Sequence, residues 1–142
     1  MAKKYGAALA AVLAGAMDGL APGTSVNAAV RVHREVFDLA NLASGDDAVL
    51  AKPRNGDVVL GHKITGSVDL SGMTFKIGTL ADDDHYMTAV AGPATPGVPK
   101  EVGLASGIDD GPLAEATEIL ARLGGVVPGA GILVIQTFVS HR

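Results

Sequence analysis

The densest group of ligating side chains in the sequence is Asp82-Asp83-Asp84-His85, three carboxylates beside an imidazole. Oxygens of this kind suit a hard divalent ion. A calcium loop, however, spaces its ligands at alternate positions around a glycine bend. Three consecutive Asp are not expected to converge from a short turn, so the run reads as a solvated acidic turn. Asp82, Asp84 and His85 are its weak metal-ligand candidates. His33, His62, His85 and His141 lie far apart, and no pair has the spacing that marks a zinc site. They are expected on strand surfaces.

Nucleophilic chemistry finds no support. Cysteine is absent, and Ser106 stands in Leu104-Ala105-Ser106-Gly107 without the preceding Gly of a nucleophile elbow. Gly124, Gly125, Gly129 and Gly131 precede a β-rich run rather than the helix N-terminus that a phosphate-binding loop requires. The acid pairs Asp46-Asp47 and Asp109-Asp110 fall in turn-like stretches, where Asp bonds its local backbone. The expectation is a protein that is not an enzyme and carries no cofactor. Lys3, Lys4, Lys52, Arg54 and Lys63 are the basic residues that folding could gather into a docking foot. With Tyr5 beside them, Lys3, Lys4, Lys52 and Arg54 are the candidate partner-binding residues, against a bland alternative of scattered solubilising charge.

The elements that must carry these residues are read from period and punctuation. Residues 6–20 are Ala- and Leu-rich, which favours helix, and Ala21-Pro22-Gly23-Thr24 ends the segment. The leading Lys3-Lys4 and small apolar run resemble a weak signal peptide, but the run is a poor hydrophobic region. Asp18 also breaks it well short of the roughly 20 residues a membrane span needs. An uncleaved N-terminal helix or arm over residues 1–24 is therefore expected, followed by one domain over 25–142.

Val26, Ala28, Val30 and Val32 alternate with Asn27, Ala29, Arg31 and His33, the period of a half-buried strand. The phase changes near Glu35, where a bulge or a strand end is expected. Asn55-Gly56 between apolar runs predicts a hairpin with a type I′ turn. Further strands are predicted over Val58 to Ile64, Val68 to Ile77 (interrupted at Ser71-Gly72), Tyr86 to Val90 and Ile132 to Val139, with a short edge strand near Val102. Residues 117–123 fit a helix or a strand. The turn residues and β-rich run that follow favour a strand joined to the last one as a hairpin. Seven or eight strands with closely spaced turns predict an all-β antiparallel sandwich of jelly-roll type.

Composition bounds the function. The 142 residues carry 11 basic and 15 acidic side chains, net −4, with a pI near 5.4. Such a chain can barely assemble the basic face that nucleic acid demands. Apolar residues make up 48% and charged ones 18%, with 23 Ala and 19 Gly but few aromatics, so the surface must be unusually neutral. Part of it is expected to be hidden against other subunits.

Asp57-Val58-Val59-Leu60-Gly61, the run Leu70 to Thr79, Asp84-His85-Tyr86-Met87 and the stretch Pro128 to Val134 together resemble small β-sandwich virion proteins of tailed bacteriophages. The similarity is greatest to capsid decoration (cement) proteins and related minor head proteins, and it covers about residues 57–140. The resemblance implies a non-enzymatic protein on the outer capsid surface of the virion. It would bind the major capsid protein as a symmetric oligomer, most commonly a trimer at local threefold positions, with no nucleic acid or membrane partner. Two other readings stand beside it: a tail or head–tail connector component, and a carbohydrate- or metal-binding module using residues 82–85. Few aromatics are available for sugar stacking, which disfavours the last.

Overall fold

Short runs rich in Val, Ile, Leu and Thr, set off by Gly-, Pro- and Asp-bearing turns, suit a pleated surface buried on one side. The computed structural model describes residues 29–103 and 111–141, the last residue by its backbone alone. Among them lie β1 (Ala29–Asp38), a single 3-10 turn (Leu39–Asn41), β2 (Asp47–Ala51), β3 (Val58–Gly66) and β4 (Met73–Gly78). β5 (Met87–Ala91), β6 (Lys100–Val102), β7 (Ile119–Gly125) and β8 (Ile132–His141) follow. The expected N-terminal helix or arm falls outside the described residues.

The strands form two four-stranded sheets, ordered β1-β8-β3-β6 and β2-β7-β4-β5, with every pairing antiparallel. Partners are nested. β1 pairs with β8, β2 with β7, β3 with β6 and β4 with β5, as in one long hairpin rolled up until β8 also meets β3 and β7 also meets β4. That is the jelly-roll arrangement of an all-β sandwich. Phe75, Met73, Ile77, Ile119, Leu123, Leu133, Ile135 and Ile64 fill the space between the sheets, all essentially without solvent contact. Residues 119–125 are strand, as the turn residues after them indicated.

Nesting overturns both predicted hairpins. β7 and β8 lie in different sheets, so residues 126–131 cross the sandwich instead of turning within one sheet. β2 and β3 are likewise in opposite sheets. Asn55-Gly56 forms a turn in which the Asp57 N–H donates to the Arg54 carbonyl at 3.1 Å, with φ +89° at Gly56 and no positive φ at Asn55. Positive φ at the third residue alone is the type II pattern, whereas type I′ needs it at both central residues. The buried Asp57 carboxylate accepts the Arg54 N–H at 2.8 Å and fixes this turn.

Two other expectations change. β1 runs in unbroken register with β8, without a bulge at Glu35. Val30, Val32 and Val36 share one phase and are exposed, while Phe37 and Leu39 in the other phase turn toward the core. The alternation was real, but the face it marks is the outer one. Val68 and Leu70 lie in the β3–β4 loop, where Leu70 plugs the core and its N–H donates to the Pro93 carbonyl at 2.9 Å.

Candidate interaction surface

The two outer faces of the sandwich differ in chemistry. On the β1-β8-β3-β6 sheet the register sets Val32 opposite Phe138, Val36 opposite Val134 and Gly61 opposite Phe138. Directly opposed residues of antiparallel strands share a face, so Val30, Val32 and the half-buried Phe138 form one apolar patch and Val36 with the half-buried Val134 a second, separated by the polar row Arg34–Gln136–Lys63, with the exposed Leu60 and Ile132 near them. A shallow depression of about 210 Å³ lies against Leu60, Lys63, Glu101 and Phe138. There Lys63 Nζ pairs with Glu101 at 3.0 Å and stands 5.5 Å from the centre of the Phe138 ring. Exposed apolar patches rimmed by polar residues mark association surfaces.

The other outer face is charged and centres on Arg122 of β7. Its Nε and Nη2 donate to the two Asp47 oxygens at 2.8 and 2.9 Å, and its Nη1 donates to Asp83 at 2.8 Å. This fork-to-fork geometry holds the Asp47 carboxyl below its ordinary 3.8, chiefly through the Arg122 hydrogen bonds. Lys76 Nζ reaches the other Asp83 oxygen at 3.5 Å. The acidic loop between β4 and β5 is thus tied down by its neighbours.

That loop corrects one expectation. Oxygens of Asp82, Asp83 and Asp84 do converge, all within 4.8 Å of one another, because the Thr79 N–H donates to the Asp82 carbonyl at 2.7 Å and curls the chain. His85 lies 3.7 Å from the Asp82 carboxylate and edge-on to Tyr86. Asp83 is already paired with Arg122 and Lys76, so one of the three carboxylates is committed to cations of this chain.

His62 is the functional-type residue that the sequence reading placed wrongly. Expected on a strand surface, it is buried in the core, with Nδ1 3.0 Å from Thr137 Oγ1 and no partner at Nε2. A register shift between Val59 and Gly61 turns its side chain inward with Ile64. The signal available was the two-residue spacing from His62 to Ile64. Burial pushes the imidazole down to about 4, so it stays neutral.

The predicted basic foot is scattered where it is described. Lys52 pairs with Glu118 at 3.3 Å just beyond β2, Lys63 pairs with Glu101 on the opposite sheet, and Arg54 is exposed in its turn. Lys3, Lys4 and Tyr5 lie outside the described residues.

No protein-family model matches the sequence, and no curated protein is similar to it. Among solved structures, the fold is similar to a chain of the cyanophage Pam1 capsid asymmetric unit, with a TM-score of 0.51 and 15% identity over 81% of this chain and 86% of that one. It is also similar to a chain of the acid-stable capsid of Helicobacter pylori bacteriophage KHP30, with a TM-score of 0.50 and 7% identity over 79% and 87% of the two chains. At these identities the likeness is one of fold, and it spans most of the sandwich.

Proposed function

We propose that this protein is a non-enzymatic structural component of a phage virion, a decoration protein that binds the major capsid protein on the outer shell as a symmetric oligomer. The fold likeness to two phage capsid chains, covering about four-fifths of this chain, carries the reading. The exposed apolar patches on one outer face support it, since such surface is suited to contact with other subunits. A ligand that binds only the assembled shell stabilises it by mass action. Rings of identical subunits need complementary patches related by rotation, and a trimer at local threefold positions is the form proposed here. In this reading the N-terminal segment, with Lys3, Lys4 and Tyr5, and the exposed Lys52 and Arg54 make the capsid contacts.

Quantitative mass spectrometry of purified particles tests the role. Hundreds of copies per particle support decoration; one or a few rings would assign the protein to the tail or connector instead. Deleting residues 2–20 is expected to lower occupancy on isolated empty shells. Undiminished occupancy discards the N-terminal contact.

A further inference from the structure

β1 is the outermost strand of its sheet, and among the described residues no strand lies beyond it. It is ten residues long, free of proline, and exposed along most of its length. Its side toward β8 is satisfied. The Leu39 N–H donates to the Gly131 carbonyl at 3.0 Å, and N–H and C=O groups alternate sides along a strand. The even-numbered residues from Val30 to Asp38 therefore direct theirs outward. Such an edge is a template for another strand.

The sequence of β1 specifies which strand. Consider two copies of β1 running antiparallel about a twofold axis at His33. Arg31 of each then opposes Glu35 of the other, Val30 opposes Val36, and Val32 opposes Arg34. Even-numbered residues meet even-numbered ones, so the outward N–H and C=O groups fall into hydrogen-bonded pairs. On the outer face the Val30–Val36 pairs also add apolar contact across the joint. Moving the axis to Arg34 or Glu35 sets like charges face to face, and moving it to Val32 puts Arg31 opposite His33. Arg31, Arg34 and Glu35 are exposed and make none of the ion pairs formed within the described part of the chain. We infer that the edge of β1, which no described strand covers, is a self-association site for a second copy of this chain, centred on His33 and held by reciprocal Arg31–Glu35 pairs. The joint is isologous, whereas ring contacts at a threefold are heterologous, so on a shell it would link one ring to the next.

The test needs only the purified full-length protein, so its outcome is independent of whether the chain decorates a capsid. Sedimentation equilibrium is expected to show a dimer. Arg31→Glu replaces two attractive cross-strand pairs with two repulsive ones and is expected to weaken dimerisation by roughly tenfold. Adding Glu35→Arg to that variant restores it, because the swap recreates the pairs only in this register. Arg34→Pro removes an outward N–H and abolishes dimerisation while leaving the β8 ladder intact; the charge-swap series decides the matter if that variant misfolds. The chain has no cysteine, so an introduced one can only bridge two copies. His33→Cys would face its own copy at a Cα separation of about 4.5 Å, within disulfide reach. Val32→Cys would lie about 8 Å from its copy. Oxidation should bridge the first and not the second. A monomer at all concentrations overturns the inference, as does an oligomer indifferent to Arg31→Glu. Dimerisation appearing only after removal of residues 2–24 also overturns it, by assigning the edge to the chain's own leading segment.

Discussion

A neutral imidazole in the core makes stability depend on pH in a defined window. Unfolded His62 titrates near its ordinary 6.5, while folded His62 resists protonation down to about 4. Below 6.5 the unfolded chain binds a proton that the folded chain does not, so stability falls as pH drops from 6.5 to 4 and levels off below. That interval corresponds to about 3 kcal/mol. His62→Gln keeps a hydrogen-bonding group near Thr137 and lacks the titration. Urea midpoints of this variant should vary less between pH 6.5 and 4 than those of the parent. Asp47 works in the same direction lower on the scale. Its folded-state pKa is depressed, so the stability it contributes is present above 3.8 and is lost as pH falls through its folded value. Replacing Arg122 with Gln should let Asp47 titrate closer to 3.8, as read by side-chain carboxyl NMR.

At the scale of elements, the inside-out assignment of β1 gives a paired prediction. Val30→Thr and Val36→Thr change exposed positions and should each shift stability by less than about 0.5 kcal/mol. Phe75→Ala empties a fully buried position in β4 and should cost about 3–5 kcal/mol in chemical denaturation. Strand identity was legible in the sequence because period-two alternation and turn residues act locally, as in β3, β4, β7 and β8. Pairing was not, because a jelly roll joins strands far apart in sequence. The Asn55-Gly56 turn looks the same locally whether the chain stays in one sheet or crosses to the other. The burial of His62 depended on a bulge contributing no residue type of its own, and the meeting of Asp82 to Asp84 depended on a backbone bond from Thr79. Glycine shows the same limit of local reading. Gly125 has φ +73°, and a Cβ there would strike the Gly72 carbonyl oxygen, so Gly125→Ala should destabilise the β7 end despite its exposure.

For the whole molecule, the contrast between a face bearing apolar patches and an Arg122-centred charged face gives the sandwich a direction. The apolar patches of the first can lose water at little cost, whereas the centre of the second would have to desolvate an ion-pair network. Contact through the apolar patches is therefore favoured, and mild salt should affect it less than it affects the exposed Arg31–Glu35 pairs of the β1 joint, because screening acts on charges. Arg122→Gln should leave self-association unchanged while altering the titration of Asp47, a separation that sedimentation and NMR can check on one sample.

β8 lies between β1 and β3 and is the last of the described strands to be made. On the ribosome, the strands on either side of it therefore emerge with a gap between them that β8 closes. Chain elongation proceeds at about 5–20 residues per second, so these two strands wait seconds before their common neighbour appears. A stop codon ahead of Ile132 would leave that wait unended, and the shortened polypeptide should accumulate as aggregates or be degraded.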